Sequence, residues 1–428
     1  MNVVVLMIAF FAALLVGVPV VWSLALSSIF VLVFGDLALP MPWLAQQFLR
    51  GADSITLASV PLFLLAGGLM NHGGLTRRII AFAEVLLGGL RGGLGPVNVA
   101  TAMVYGGVTG SATADTGAVG SILIPAMAER GYPKAFSAAV TAAGGTLGII
   151  IPPSVVMILY GVITGTSIGG LFAAGVLPGI MIGLVFMVTA WLIGVHRQFP
   201  KLDHKNSWSV IVRNFFAAAP ALLMPIVVIG SLLGGFATPT EAAAVAVVYA
   251  LLVGMLIYRE LAWVALPKIA RESAITTGAI MIILAAATPF SWILTVEQVP
   301  LAAANLVNTY GATPAMAIGG IILLLLFVGL WMDLGPALLI LAPIVKPIGL
   351  AAGLDPLQLG LVVTIGLGIG LFTPPVGTNI FVVANIAKVP MGEIIMELIP
   401  FWFMSVLCLV LVAFVPALTT ALPRALGF

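Results

Sequence analysis

The chain opens on "MNVVVLMIAFFAALLVGVPVVWSLALSSIFVLVFG" and nears its end on "FWFMSVLCLVLVAFVPAL", apolar runs of the length that crosses a bilayer. With only 7% charged residues against about 25% in soluble domains, no soluble core could hide the apolar remainder. The runs are continuous rather than alternating, which points to helices and not to a transmembrane β-barrel. The first run lacks a basic leader and is followed by further spans, so it is expected to be retained rather than cleaved. Gly17-Val18-Pro19 should divide it into two short helices or kink one.

Inside this apolar chain the same interruption appears twice, in "GTLGIIIPPSVV" at 146–157 and "GLGIGLFTPPVG" at 366–377. Proline has no N–H and clashes with the carbonyl four residues back, so neither Pro152-Pro153 nor Pro374-Pro375 fits an ordinary helix. Irregular backbone at membrane depth survives only inside protein or beside a watery cavity. The breaks should free the carbonyls of Gly148 and Ile149, and of Gly370 and Leu371, as hard oxygen ligands for a small cation. A new helix starting at each proline pair would offer N–H groups to an anion.

The two interruptions belong to a longer rhyme. Pro125, Pro133 and Pro152-Pro153 are answered by Pro343, Pro356 and Pro374-Pro375. Two hydrophobic halves with breaks in corresponding places point to a secondary transporter built from two pseudo-symmetric repeats, inverted if each half crosses an odd number of times. The expected division is a first membrane repeat over 1–194, a basic linker over 195–214 and a second repeat over 215–428. The linker carries Arg197, Lys201, Lys205 and Arg213 against Asp203, and the positive-inside rule puts it in the cytoplasm. A second basic loop near Arg259, Lys268 and Arg271 is diluted by Glu260 and Glu272.

Each proline pair is preceded by a second break. "YGGVTGSATADTGAVG" at 105–120 is rich in Gly, Ser and Thr and holds Asp115, and its counterpart "FVGLWMDLGPALL" holds Asp333. The offsets from Ser111 to Asp333 and from Pro152 to Pro374 are both 222, so Ser111 and Asp333 should occupy equivalent places. The glycines can be read as helix-packing surface. An aspartate amid apolar residues is costly in a membrane, which makes Asp333 the sharpest single residue; Asp115 reads equally well as a helix cap. In "ATPTEAAAVAVVYALLVG", Thr238, Pro239 and Glu241 have the spacing of a capping box, so Glu241 is read as structural.

Other classes lack their residues. Net charge is +2, which gives no field for nucleic acid. Cys408 sits in an apolar run, and His72, His196 and His204 form no catalytic or metal motif, so an enzyme is not expected. A channel would want rings of like residues from symmetric subunits.

Taken together, "VPLFLLAGGLMNHGGL", "GSATADTGAVGSILIPAM", "IIPPS", "ATPTEAAAVAV" and "FTPPVGTNIFV" resemble, in order and spacing over essentially the whole chain, the large membrane subunit of TRAP (tripartite ATP-independent periplasmic) transporters. The resemblance implies an all-α, polytopic inner-membrane permease with re-entrant hairpins, broken helices and an elevator-type mechanism. It implies Na⁺-coupled symport of an organic acid such as a C4-dicarboxylate or sialic acid, with no organic cofactor. Two partners follow: a small four-helix membrane subunit and a periplasmic substrate-binding protein. Carried over residue by residue, the resemblance implies a first Na⁺ site at Thr109, Gly148, Ile151 and Pro153 and a second at Gly329, Gly370, Thr373 and Pro375. It places the substrate among Ser111, Ser154, Asp333, Thr378 and Asn379. A stand-alone ion-coupled carboxylate carrier of related architecture is the alternative.

Overall fold

The structure, a computed structural model, describes residues 1–37, 39–201, 207–302, 305 and 313–428. Asp203, His204 and Lys205 of the basic linker lie outside the described residues. Helices account for the architecture, and no strand occurs among the described residues. The apolar N-terminal run folds as α1 (Asn2–Leu15) and α2 (Val20–Phe34), separated at Gly17-Val18-Pro19 as the sequence suggests. There follow α3 (Met41–Ala52), α4 (Ser59–His72), the amphipathic α5 (Leu75–Leu87), α6 (Leu94–Thr109), α7 (Ala112–Glu129), α8 (Lys134–Gly145), α9 (Val155–Thr164) and α10 (Ile168–His196). Beyond the linker come α11 (Trp208–Leu233), α12 (Pro239–Leu252), α13 (Leu266–Val296), α14 (Pro314–Trp331), α15 (Leu334–Ala351), α16 (Pro356–Gly370), α17 (Thr378–Ala387), α18 (Met391–Phe414) and α19 (Ala417–Ala425). Eight helical stretches among the described residues are long and apolar enough to cross a membrane.

Local chemistry sets the boundaries. Thr238 and Glu241 form the expected capping box at the start of α12, with the Glu241 carboxylate accepting from the Thr238 N–H at 2.8 Å. One expectation needs correction, and the histidines find their places. Lys268 and Arg271 lie in the first turns of α13 rather than in a loop, and His72 and His196 are the last residues of α4 and α10. Cys408 is buried in the core.

Contacts at the helix ends fix how the broken elements run. At one end, the Tyr132 hydroxyl donates to the Pro200 carbonyl (2.9 Å), the Gly92 N–H donates to the same carbonyl (3.3 Å), and Arg197 pairs with Glu397 at 2.6 Å. That end therefore holds the start of α6, the turn between α7 and α8, the finish of α10 and the start of α18. At the opposite end, the Lys346 ammonium donates to the Thr164 carbonyl. There too Gln358 donates to the carbonyls of Val412 and Ala413, each at 3.0 Å. This second end holds the finish of α9, α15 and α18 and the start of α16.

Within each half the first hairpin limb lies alongside the broken helix in the same direction. Asn98 meets Thr141, with the amide donating to the hydroxyl at 2.7 Å, and Gly106, eight residues further on, meets Gly148, seven residues further on. In the second half Leu325 meets Gly366, and Gly329 meets Gly370. The first pair sets out from the Arg197 end and the second from the Lys346 end, so the two units run in opposite directions. Each hairpin tip stops at the level of a break, because α9 and α17 continue for ten residues beyond it, about 15 Å. Apolar packing of Leu147, Met157, Phe172, Phe372 and Phe401, all buried, surrounds these interruptions.

Candidate functional site

At the first hairpin tip, α6 ends at Thr109, Gly110 takes a left-handed backbone (φ +66°) and Ser111 caps α7. A side chain at Gly110 would also meet the Pro153 carbonyl oxygen at 2.8 Å, so glycine is required on both counts. The tip is tied to the break by the Val155 N–H, which donates to the Gly110 carbonyl at 3.2 Å. The second tip repeats this bond, with the Val376 N–H donating to Leu330 at 3.3 Å. Ser111 and Asp333 are the N-cap residues of α7 and α15, so the 222-residue offset does place them equivalently. Neither side chain makes a cap hydrogen bond by the same geometry as the capped helices; the Ser111 hydroxyl lies 3.5 Å from that of Thr113, and the Asp333 carboxylate meets the Thr378 hydroxyl.

Two expectations about the breaks are corrected. Neither proline pair begins a helix; α9 starts at Val155 after Ser154, and α17 at Thr378 after Gly377. Nor do the breaks free all four carbonyls named from sequence, since three of them find donors. Ile149 accepts from the Ser154 hydroxyl (2.7 Å), Gly370 from the Thr373 N–H (3.1 Å) and Leu371 from the Asn379 N–H (2.9 Å). The chain folds back within a few residues, so nearby donors replace those that proline removes. Among the described residues Gly148 keeps its carbonyl free, and so does Gly329 at the end of α14.

The sequence reading left Asp115 between cap and functional group, and the structure gives the cap position to Ser111. Asp115 lies one turn into α7, is fully buried and accepts from the Thr109 hydroxyl. Its second carboxylate oxygen has no hydrogen-bond partner and fills the space where Gly148 lacks a side chain. A buried carboxylate oxygen without a partner is costly unless a cation or donor completes it. Thr109, Gly148 and the orphaned Asp115 oxygen therefore make a donor set of hard oxygens that fits a small cation. Ile151 and Pro153 belong to the same connection, with Ile151 packed on Gly179 and the Pro153 carbonyl on Gly110.

The second set is built differently. Gly329 and Gly370 are in backbone contact, and the Thr373 hydroxyl donates to the Ile369 carbonyl at 2.5 Å. Pro375 is exposed. At the position equivalent to Asp115 the chain has Ala337, so this site offers neutral oxygens only.

Between the two tips lies a chamber of about 280 Å³. It brings together Ser111, Thr113 and Asp333 with residues from remote segments, Leu64 of α4 and Thr276 of α13. The first residues of α7, α9 and α15 all line it, so three helix N-termini converge there. Much of the remaining wall is apolar, including Ile149, Val156, Ile280 and Leu339. Of the five residues expected to hold substrate, Ser111 and Asp333 line this chamber, and Ser154, Thr378 and Asn379 do not. Ser154 is buried as the cap of α9, accepting from the Met157 N–H and donating to Ile149. Asn379 is buried and donates to the Ala142 carbonyl at 3.0 Å. The Thr378 hydroxyl is buried beside the Asp333 carboxylate. Thr276 was missed from sequence, although the Thr276-Thr277 pair inside the long α13 is a polar interruption of the kind that marks a pathway.

The chain matches the family of the tripartite ATP-independent periplasmic transporter DctM component over residues 7–418. It is 39% identical over 388 residues to the C4-dicarboxylate TRAP transporter large permease protein DctM of Pseudomonas aeruginosa, covering 90% of each chain. It is 35% identical over 414 residues to the sialic acid TRAP transporter large permease protein SiaM of Vibrio cholerae, covering 96% of each. In fold it is similar to the crystal structure of the Alcanivorax borkumensis YdaH transporter, with a TM-score of 0.62 and 14% identity over 90% of this chain and 87% of that one.

Proposed function

We propose that this chain, which belongs to the family of TRAP transporter large permeases (DctM component), carries an organic acid across the inner membrane together with Na⁺. The family is one of transporter permeases and not of enzymes, and its members are multi-pass inner-membrane proteins. Membership favours the tripartite arrangement over a stand-alone carrier, with a small membrane subunit and a periplasmic binding protein as partners.

The observation that carries the reading is the chamber between the two tips. Helix N-termini concentrate unpaired N–H groups and positive partial charge, which suits a substrate carboxylate. The α7 and α15 N-termini are left without side-chain caps, so the carboxylate would take that place, with Ser111 as an additional donor. Asp333 would then accept from a substrate hydroxyl or amide. Na⁺ travels as cargo in the oxygen sets on either side. The first would use Thr109, Asp115 and the Gly148 region, the second Gly329, Gly370 and Thr373. Each cation would join a hairpin tip to a broken helix and so shape the chamber wall, which couples ion to substrate without direct contact.

In this reading residues 1–194 and 215–428 are two inverted repeats, and 195–214 is a cytoplasmic linker. The opposite directions of the α6–α8 and α14–α16 units support it, as does the gathering of Arg130, Lys134, Arg197 and Lys201 at one end. Movement of the broken-helix unit against the wall formed by α4 and α13 would expose the chamber alternately, in an elevator-type cycle.

Reconstitution with both partners tests the proposal. Uptake of the cognate acid should require an inward Na⁺ gradient and fall to background when the binding protein or small subunit is omitted. Equal uptake with K⁺ in place of Na⁺ would overturn the coupling, and robust uptake by this chain alone would restore the stand-alone carrier.

A further inference from the structure

The turn between α12 and α13 carries apolar side chains that the protein itself leaves uncovered. α12 runs on into a wide π-helical turn, Val253–Ile257, and Arg259 then takes a left-handed backbone (φ +55°) that reverses the chain. The N–H groups of Glu260 and Leu261 both donate to the Gly254 carbonyl at 3.1 Å, and Leu261 is buried against Gly254. The reversal is therefore fixed, and the next residues are held outward: Trp263 is 77% and Val264 89% exposed. On the α12 side of the same turn, Leu256 and Ile257 are exposed as well.

The level of this patch follows from α4, which packs against both α12 and α13. Gly73 packs on Gly254, while Gly68 faces Ile269 and Ser273. The five residues between these contacts span about 7.5 Å of α4, so Ile269 lies that much deeper than Gly254. Trp263 precedes Ile269 by six residues, about 9 Å, which returns it to the Gly254 level. Exposed apolar groups of both segments thus reach one height. It is the height of the Arg130–Arg197 end, since α5 pairs with this turn through Arg78 and Glu260 (2.8 Å) and with Arg130 through Glu84 (2.6 Å).

Basic groups surround that level. Lys268, Arg271 and Ile275 form one exposed stripe along α13, opposite the buried Ile269. Helical side chains slant toward the helix N-terminus, which here is outward, so the cationic heads of Lys268 and Arg271 reach back toward Trp263. Arg259 is exposed across the turn, and neither it nor Arg271 has an ion-pair partner among the described residues. Two carboxylates face the group. Glu260 is taken by Arg78, with Arg77 at 3.7 Å, and Glu272 stands 3.9 Å from Lys268. Cations are left in excess.

We propose that this turn binds an anionic phospholipid, with Arg259, Lys268 and Arg271 on the headgroup and Trp263 and Val264 inserted beside the acyl chains. That the lipid belongs to the cytoplasmic leaflet rests on the transporter reading above. An indole and an aliphatic side chain held rigidly outward are costly in water and suited to the boundary between headgroups and acyl chains. Unpaired cations at the same height match the negative surface of that leaflet. A zwitterionic headgroup carries its own cation, which the basic groups repel, so the site prefers net negative charge. The bound lipid holds the corner of the wall made by α4, α12 and α13 in the bilayer while the hairpin unit moves against it.

Lipid-borne quenchers test this. Val264→Cys is made in the full chain, labelled with the fluorophore NBD and reconstituted with the small membrane subunit in phosphatidylcholine vesicles; the native Cys408 is buried and gives a low background. Phosphatidylglycerol or phosphatidylcholine bearing a nitroxide high on the acyl chain is then included at the same low fraction. At least about twofold stronger quenching by the phosphatidylglycerol is expected. The preference should fall to parity when Arg259→Gln, Lys268→Gln and Arg271→Gln are combined. It should also fall in 1 M KCl, where the screening length is about 3 Å, a measurement that needs no charge substitution. The same label at Leu323→Cys, exposed on α14, should be quenched equally by both lipids. Equal quenching at position 264, or as large a preference at position 323, would overturn the proposal. So would no quenching at 264 by either lipid while 323 is quenched, because water or another protein would then cover the turn. Should the preference hold while uptake proves independent of Na⁺ and of both partners, the lipid site stands and the transporter reading falls.

Discussion

Asp115→Asn is the perturbation that separates a cation ligand from a structural carboxylate, because the two roles predict opposite signs in stability. In the wild type one carboxylate oxygen accepts from Thr109 and the other has no partner in a fully buried place against Gly148. With no cation bound, that charge is poorly compensated, and isolated buried ions cost several kcal/mol. Asparagine keeps the shape and an acceptor for Thr109 while removing the charge. In K⁺ medium the variant should therefore be as stable as the wild type or more so. In Na⁺ medium the order reverses. A charge-assisted contact contributes about 1.5–3 kcal/mol, so losing it should raise the Na⁺ half-saturation about 10- to 150-fold. The stabilisation conferred by Na⁺ follows RT ln(1 + [Na⁺]/Kd), so a hundredfold weaker site nearly abolishes a gain of about 2.7 kcal/mol. Thermal unfolding of the detergent-solubilised complex over a Na⁺ titration, with ionic strength held by K⁺, measures both signs. A variant that is destabilised in K⁺ and gains as much from Na⁺ as the wild type would refute the reasoning and return Asp115 to a packing role.

Asp333→Asn should raise the substrate concentration for half-maximal uptake about tenfold, the loss of one charge-assisted hydrogen bond, while Na⁺ half-saturation stays within about twofold; uptake unchanged at every substrate concentration would leave Asp333 without a transport role. Gly370→Ala places a methyl against the backbone of Gly329, which cannot move aside, and should cost about 1–3 kcal/mol in a denaturation assay with uptake largely lost. On the neighbouring α14, Gly320 has open space at its missing side chain, so Gly320→Ala should be neutral or stabilise by up to about 1 kcal/mol. Equal effects of the two substitutions in the same assay would dismiss the backbone contact as the reason for glycine.

Where the chain breaks was legible in the residues, because proline and glycine act on the backbone they occupy. Pro152-Pro153 and Pro374-Pro375 stop their helices whatever surrounds them, and the Thr238–Glu241 spacing caps α12 from within. The equivalence of Ser111 and Asp333 was legible for the same reason, as an offset shared by two local interruptions. What each freed group then meets is a matter of partners distant in sequence. Local order could not show that the Ser154 hydroxyl turns back to Ile149, or that the Asn379 N–H reaches Leu371 and takes up its carbonyl. Nor could it place Asp115 against Gly148, 33 residues away, where a missing side chain on one segment makes room for a carboxylate on another. Thr276 enters the chamber from a helix that begins more than 150 residues after Ser111, and only packing brings them to one wall. The sequence determined the interruptions, since steric and hydrogen-bonding limits are written into single residues. Tertiary structure decided which oxygens remain unpaired and which side chains share a cavity, since both depend on segments that meet only when the membrane-buried core has closed.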